Sequence, residues 1–205
     1  MTPSKTNTSA RALQAPAFLI SAASARQFPG DGRPEVAFAG RSNAGKSSAL
    51  NLICERRKLA RTSKTPGRTQ LVNFFDVEAG RLVDLPGYGF ARVPPAVRAK
   101  WQTLVESYFS QRDALRGVVL IMDSRHPLTA FDEQMLGWTL AGGLPTHILL
   151  TKADKLGRGA QTDCLRSVRK ALEETPATVQ TFSATTRIGL DEARAQIQGW
   201  LTEPV

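Results

Sequence analysis

Glu35-Val36-Ala37-Phe38-Ala39, then Gly40-Arg41-Ser42-Asn43-Ala44-Gly45-Lys46-Ser47, then Ser48-Ala49-Leu50-Asn51-Leu52-Ile53-Cys54: the reading of this chain turns on these twenty residues. The first five read as a short buried strand that Gly40 ends. From Gly45 to Cys54, Leu50, Ile53 and Cys54 fall on one side at helical spacing. The eight residues between match G-x-x-x-x-G-K-[ST], with strand before and helix after. The glycines let the backbone bend so that successive N–H groups point inward at phosphate oxygens. Lys46 brings an ammonium to the β- and γ-phosphates. Ser47 offers a hydroxyl to Mg²⁺, and the helix aims its positive end at the same place.

Beyond this loop, strand-like and helix-like segments alternate. Residues 70–77 and 81–84 read as two strands joined in a hairpin across Glu78-Ala79-Gly80. Residues 117–123 (GVVLIMD) and 146–151 (THILLT) are apolar enough to be strands buried on both faces, and 178–184 reads as a last strand. Helices are expected over 96–112, 129–141, 160–173 and 189–202. Buried strands separated by helices imply an α/β domain whose sheet is mostly parallel and covered on both sides. Residues 1–33 are rich in Ser, Thr, Ala and Pro and read as a partly disordered N-terminal arm, leaving 34–205 as the folded domain. Phe18-Leu19-Ile20 is the piece that can tie the later half of the arm down.

A phosphate loop serves ATP and GTP alike, so the base needs separate evidence. Asp84-Leu85-Pro86-Gly87 ends a strand, where a second carboxylate linked to Mg²⁺ belongs, and Gly87 can give its N–H to a γ-phosphate. Thr151-Lys152-Ala153-Asp154 follows another strand. A carboxylate there accepts two N–H bonds from the Watson–Crick edge of guanine, whereas adenine meets it with a lone pair. Lys152 can lay its stem along the base plane. Phe182-Ser183-Ala184 can present a backbone N–H to the base carbonyl. Each motif is short, but in this order and at successive strand ends they form a specific set.

The bulk numbers bound the partners. Lys and Arg outnumber Asp and Glu by 27 to 18, a net charge of +9, so a polyanion is the expected partner. No apolar run approaches the roughly 20 residues that span a bilayer, and the first residues lack the apolar centre of a secretory signal. The expectations are therefore a cytoplasmic address, no stable membrane insertion and a monomer. Cys54, Cys164, His126 and His147 show neither metal-ligand nor nucleophile spacing and read as packing residues.

PEVAFAGRSNAGKSS, SKTPGRTQ, VDLPGYGFA and TKADK resemble the translation-factor-related P-loop GTPases, and within them the EngB group of ribosome-assembly GTP-binding proteins. The resemblance runs from about residue 18 to the C-terminus. It implies a Ras-like fold with one antiparallel strand, binding of GTP and GDP with Mg²⁺, and GTP hydrolysis. It also implies a part in large ribosomal subunit assembly and in normal septation. Carried over, Ser47 and Thr69 are Mg²⁺ ligands, and Gly67, Arg68, Thr69, Gln70 and Leu71 form the nucleotide-responsive part of switch I. Switch II begins at Asp84. Nucleotide contacts come from 40–47, 67–71, 84–87, 151–154 and 182–184. Thr69 read without the resemblance also suits the start of a strand.

One departure and one loop residue concern catalysis, and one stretch concerns docking. Ras-like enzymes place a water-orienting glutamine after the D-x-x-G glycine, where this chain has Tyr88, so unassisted hydrolysis is expected to be slow. Similar GTPases use an asparagine at the position of Asn43 to hold K⁺ beside the phosphates; turn geometry explains it equally well. Lys46, Thr69 and Asn43 are thus the candidate catalytic residues. Arg56, Arg57, Lys58, Arg61, Lys64 and Arg68 crowd the stretch beside switch I and can meet ribosomal RNA phosphates. A P-loop ATPase or kinase, and an interaction module acting at the membrane or division machinery without direct RNA binding, are the competing readings.

Overall fold

A computed structural model of the chain describes residues 13, 15–56, 59, 71–88 and 95–203. The expectations for Gly67, Arg68, Thr69 and Gln70, and for five of the six basic residues beside switch I, lie outside these residues.

β2 (Glu35–Gly40) is buried at all six positions, and its alternation sorts the core. Val36 and Phe38 face one side of the sheet, and Ala37 and Ala39 the other. On the first side α1 (Lys46–Ile53) and α5 (Leu190–Thr202) bring Leu50, Ile53, Ile197 and Leu201 against them. On the second, α2 (Pro95–Gln111), α3 (Ala130–Ala141) and α4 (Arg158–Ala171) bring Val105, Tyr108, Met135 and Val168.

The remaining strands are β1 (Ala17–Ala22), β3 (Val72–Val77), β4 (Gly80–Asp84), β5 (Leu115–Asp123), β6 (Thr146–Thr151) and β7 (Thr178–Thr181). They lie in the order β1-β3-β4-β2-β5-β6-β7. Only β3 runs against its neighbours, forming antiparallel ladders with β1 and β4, while every other pairing is parallel. The expected fold class, a mostly parallel sheet with one antiparallel strand and helices on both faces, is what the chain adopts.

Within residues 1–33 the chain contacts the folded body. Ala17–Ala22 is an edge strand antiparallel to β3, with a register shift between Phe18 and Ile20, and Leu13 is fully buried against the α1–α5 side. The ladder, and not only the core, holds this edge strand. Phe18 is still 61% exposed and packs edge-on to Phe75. The last strand is also shorter than expected, ending at Thr181 rather than 184.

The cysteines and His147 behave as packing residues. Burial pushes the Cys54 thiol up to about 12, far from a reactive thiolate. His147 bridges β6 to β7 through Thr178 Oγ1 at 2.6 Å and Gln180 Oε1 at 2.8 Å, and burial lowers its pKa. No helix among the described residues is long and apolar enough to cross a membrane.

Candidate functional site

The carboxyl ends of β2, β4, β5, β6 and β7 all lie at one rim of the sheet, where open α/β sheets place their ligands. Gly40 leaves β2 so close to β5 that a Cβ there would sit 2.8 Å from Ile121 Cβ and 2.9 Å from its carbonyl oxygen. Asn43 adopts φ +64°, a left-handed conformation asparagine tolerates. Gly45, at φ +106°, turns the chain into α1 and caps it without any side-chain hydrogen bond.

Inside the loop, Ser42 N–H donates to the Tyr88 carbonyl at 2.8 Å and Ala44 N–H to the Arg41 carbonyl at 3.0 Å. The N–H groups of Asn43, Gly45, Lys46 and Ser47 have no acceptor among the described residues. Four open amides at the positive end of a helix are a built anion cradle. Lys46 Nζ ion-pairs Asp84 Oδ1, each side chain only 11% exposed. Loop amides, an ammonium and a carboxylate therefore meet within one small volume. The donor set suits Mg²⁺, which takes few protein oxygens and completes its shell with phosphate and water. Among the described residues no cluster of three His, Cys, Asp or Glu offers an alternative metal cage.

The segment after Asp84 presses against this loop. Leu85 N–H donates to the Phe38 carbonyl at 3.0 Å, and a Cβ at Gly87 would touch the Ser42 backbone at 3.6 Å. Trp101 Nε1 donates to the Pro86 carbonyl at 3.3 Å. Tyr88 is buried, its hydroxyl donating to Asp132 Oδ1 at 3.2 Å and its ring 5.9 Å from that of Trp101. Burial, reinforced by Asp132, raises its pKa well above 10, so it stays a neutral phenol.

The third and fourth motifs close the rim. Thr151 Oγ1, with one proton to give, lies in hydrogen-bond reach of the Ala44 carbonyl of the phosphate loop and of the Met122 carbonyl at 3.0 Å. Lys152, also at positive φ, sends Nζ to the Asn43 carbonyl at 2.6 Å and to Asp123 Oδ2 at 2.9 Å. Ala153 N–H donates to the Phe182 carbonyl at 3.1 Å. Asp154 Oδ1 accepts from Ser183 Oγ at 2.6 Å, and that bond, aided by Lys155, lowers its pKa. Ser183 is itself fully buried, and its Oγ accepts from the Thr185 and Thr186 N–H groups. The Ala184 N–H has no acceptor among the described residues.

The structure thus brings 40–47, 84–87, 151–154 and 182–184 to one rim, with Leu71 just before β3. Sequence reading missed Asp123 and Arg125. The available signal was positional, since Asp123 ends an apolar strand just as Asp84 does.

This fold and site define a P-loop nucleotide-binding protein with a guanine-type base motif. A family model described as "50S ribosome-binding GTPase" matches residues 35–152. The "Probable GTP-binding protein EngB" of Xanthomonas campestris pv. campestris strain 8004 is 56% identical over 186 residues, covering 89% of this chain and 90% of its own. Its namesake in Thiobacillus denitrificans is 55% identical, covering 90% of each. Among solved structures, a crystal structure of a GTP-binding protein engB superposes with a TM-score of 0.68 at 20% identity, covering 83% of this chain and all of its own. A variant of Aquifex aeolicus Era bound to GDP.AlF4- gives 0.66 at 19%, covering 83% and 57%. At that identity the structures speak for the fold alone. The chain belongs to the EngB family of GTP-binding proteins, and it is a GTPase.

Proposed function

We propose that this GTPase is a nucleotide-controlled assembly factor of the large ribosomal subunit, needed in turn for normal septation. The open-amide cradle of Asn43, Gly45, Lys46 and Ser47, set beside the Lys46–Asp84 pair, carries the reading. In this reading the amides and Lys46 hold the β- and γ-phosphates, and Ser47 with Thr69 holds Mg²⁺. Bound Mg²⁺ supplies charge neutralisation on the phosphates. Gly67–Leu71 and Asp84–Gly87 respond to the γ-phosphate. Lys152, Asp154 and Ala184 read the base. The 50S description of the family and the chain's net charge of +9 support a ribosomal RNA partner met through the basic stretch 55–68.

Tyr88 cannot orient an attacking water while its hydroxyl is given to Asp132. Unassisted turnover is expected on the small-GTPase scale of roughly 10⁻⁴ to 10⁻³ per second. Binding to the subunit, rather than hydrolysis alone, is then the direct test. In co-sedimentation with isolated large subunits, wild type with GTP pellets and Lys46→Ala stays in the supernatant. Six phosphate contacts predict a log K against log salt slope of about −4 to −5. Equal pelleting of both proteins, or indifference to salt, refutes GTP-controlled RNA docking.

K⁺ is a further proposal at the same loop. If Asn43 holds K⁺ beside the phosphates, GTP turnover in K⁺ buffer exceeds that in matched Na⁺ buffer, and Asn43→Ala erases the difference. Equal rates in the two buffers leave Asn43 with its turn role at φ +64° alone.

A further inference from the structure

β5 ends on Asp123, a carboxylate only 4% exposed and outside the residues assigned above to phosphate, metal and base. Both of its oxygens are engaged. Oδ1 accepts from the Arg125 backbone N–H at 3.1 Å and from Arg125 Nε at 2.9 Å. Oδ2 accepts from Arg125 Nη2 at 2.7 Å and from Lys152 Nζ at 2.9 Å. Burial by itself raises such a carboxyl. The hydrogen bonds from Arg125 and Lys152 outweigh burial here and hold it well below the usual carboxylate range, so it is a permanent anion.

The consequence falls on Lys152. Its ammonium is fixed at two points on different elements, the Asn43 carbonyl of the phosphate loop and the Asp123 carboxylate of β5. Among the described residues two of its three donors are used. A free lysine stem loses rotamer freedom whenever a ligand orders it. Here the stem is ordered in advance, on a residue whose backbone is already committed to φ +58°. Asp123 also neutralises the ammonium, whose other acceptor among the described residues is the neutral Asn43 carbonyl.

We propose that Asp123 is a positioning residue for guanine-nucleotide binding: clamped by Arg125, it presets Lys152 so that the stem is ready to line the base while the ammonium braces the phosphate loop. This rests on the reading of Lys152 as a base contact.

A double-mutant cycle on the full-length protein tests it, read as the rate of mant-GDP release in stopped flow, with melting temperature measured separately. Lys152→Met accelerates release. Asp123→Ala accelerates it about ten- to a hundredfold, the range for loss of a hydrogen bond to a charged group. Asp123→Asn, which keeps a carbonyl oxygen for Lys152 Nζ, accelerates it less. In the Lys152→Met background, Asp123→Ala adds nothing further. If Asp123→Ala accelerates release equally in both backgrounds, or leaves it unchanged alone, the proposal is overturned. If Lys152→Met itself leaves release unchanged, the base-contact reading fails first. Should Asp123→Ala not fold, Asp123→Asn carries the same cycle.

Discussion

Asp154→Asn is expected to lower GTP affinity by about 10³-fold or more and to make xanthosine triphosphate the better ligand. Asp154 Oδ1 is fixed by Ser183 Oγ at 2.6 Å, and Oδ2 lies 3.3 Å from Lys155. In the proposed reading guanine presents two N–H donors to this carboxylate. An asparagine keeps one acceptor, which Ser183 can still tether, and replaces the other by an NH₂ that confronts the guanine amino group. Donor then faces donor in a site built to satisfy acceptors. Xanthine has a carbonyl where guanine has that amino group, so the same NH₂ becomes a partner. Competition of GTP, XTP and ATP against a mant-labelled nucleotide reads the switch directly. The melting temperature should hardly move, because the substitution preserves shape and the Ser183 bond. A variant that still prefers guanine would show that Asp154 does not read the base.

Much of this site was legible because its chemistry sits at strand ends, where sequence marks position. An apolar run followed by Gly40, Asp84 or Thr151 states both where a strand stops and what stands at the rim. Lateral contacts were not legible. Nothing in TKADK says that Lys152 reaches Asn43 and Asp123, because those residues lie 109 and 29 positions away in the chain. Ser183 was read as part of a loop near the base, yet it also tethers Asp154. Its hydroxyl collects the Thr185 and Thr186 amides, and the chain turns there instead of extending β7 to 184. Tyr88 was visible as a departure from glutamine, but its burial against Trp101 and Asp132 depends on two helices that close over it. Phe18-Leu19-Ile20 was visible as a tie, but its pairing as an edge strand was not, because its partner, β3, lies fifty or more residues downstream.

At the opposite pole of the sheet, Glu35→Ala is expected to cost about 3–5 kcal/mol of folding stability, the usual penalty for breaking a buried ion pair by removing one partner. Glu35 is fully buried at the start of β2. Its Oε2 accepts from Arg112 Nε at 2.8 Å and from the Tyr108 hydroxyl at 3.0 Å, while Oε1 accepts from Arg112 Nη2. Arg112 also donates to the Pro29 carbonyl at 2.6 Å and lies over the rings of Phe28 and Phe74. Beside them, Arg81 forks onto Asp31 and donates Nε to Asp76, and its hydrogen bonds hold the Asp31 carboxyl down at about 2. Removing Glu35 strands a guanidinium and a phenol in an apolar pocket and loosens the segment from Phe28 to Asp31 that they fasten. At roughly 2–4 °C per kcal/mol for a chain of this size, the melting temperature should fall by about 6–20 °C. The paired replacement Glu35→Leu with Arg112→Met should melt closer to wild type than Glu35→Ala does, since it removes both charges and fills the space. Four residues of strand, Val36 to Ala39, put Glu35 roughly 16 Å from the phosphate loop. Folded Glu35→Ala should therefore bind GTP as wild type does. A variant that kept its melting temperature but lost GTP would place the function of this cluster in the nucleotide site and not in the fold.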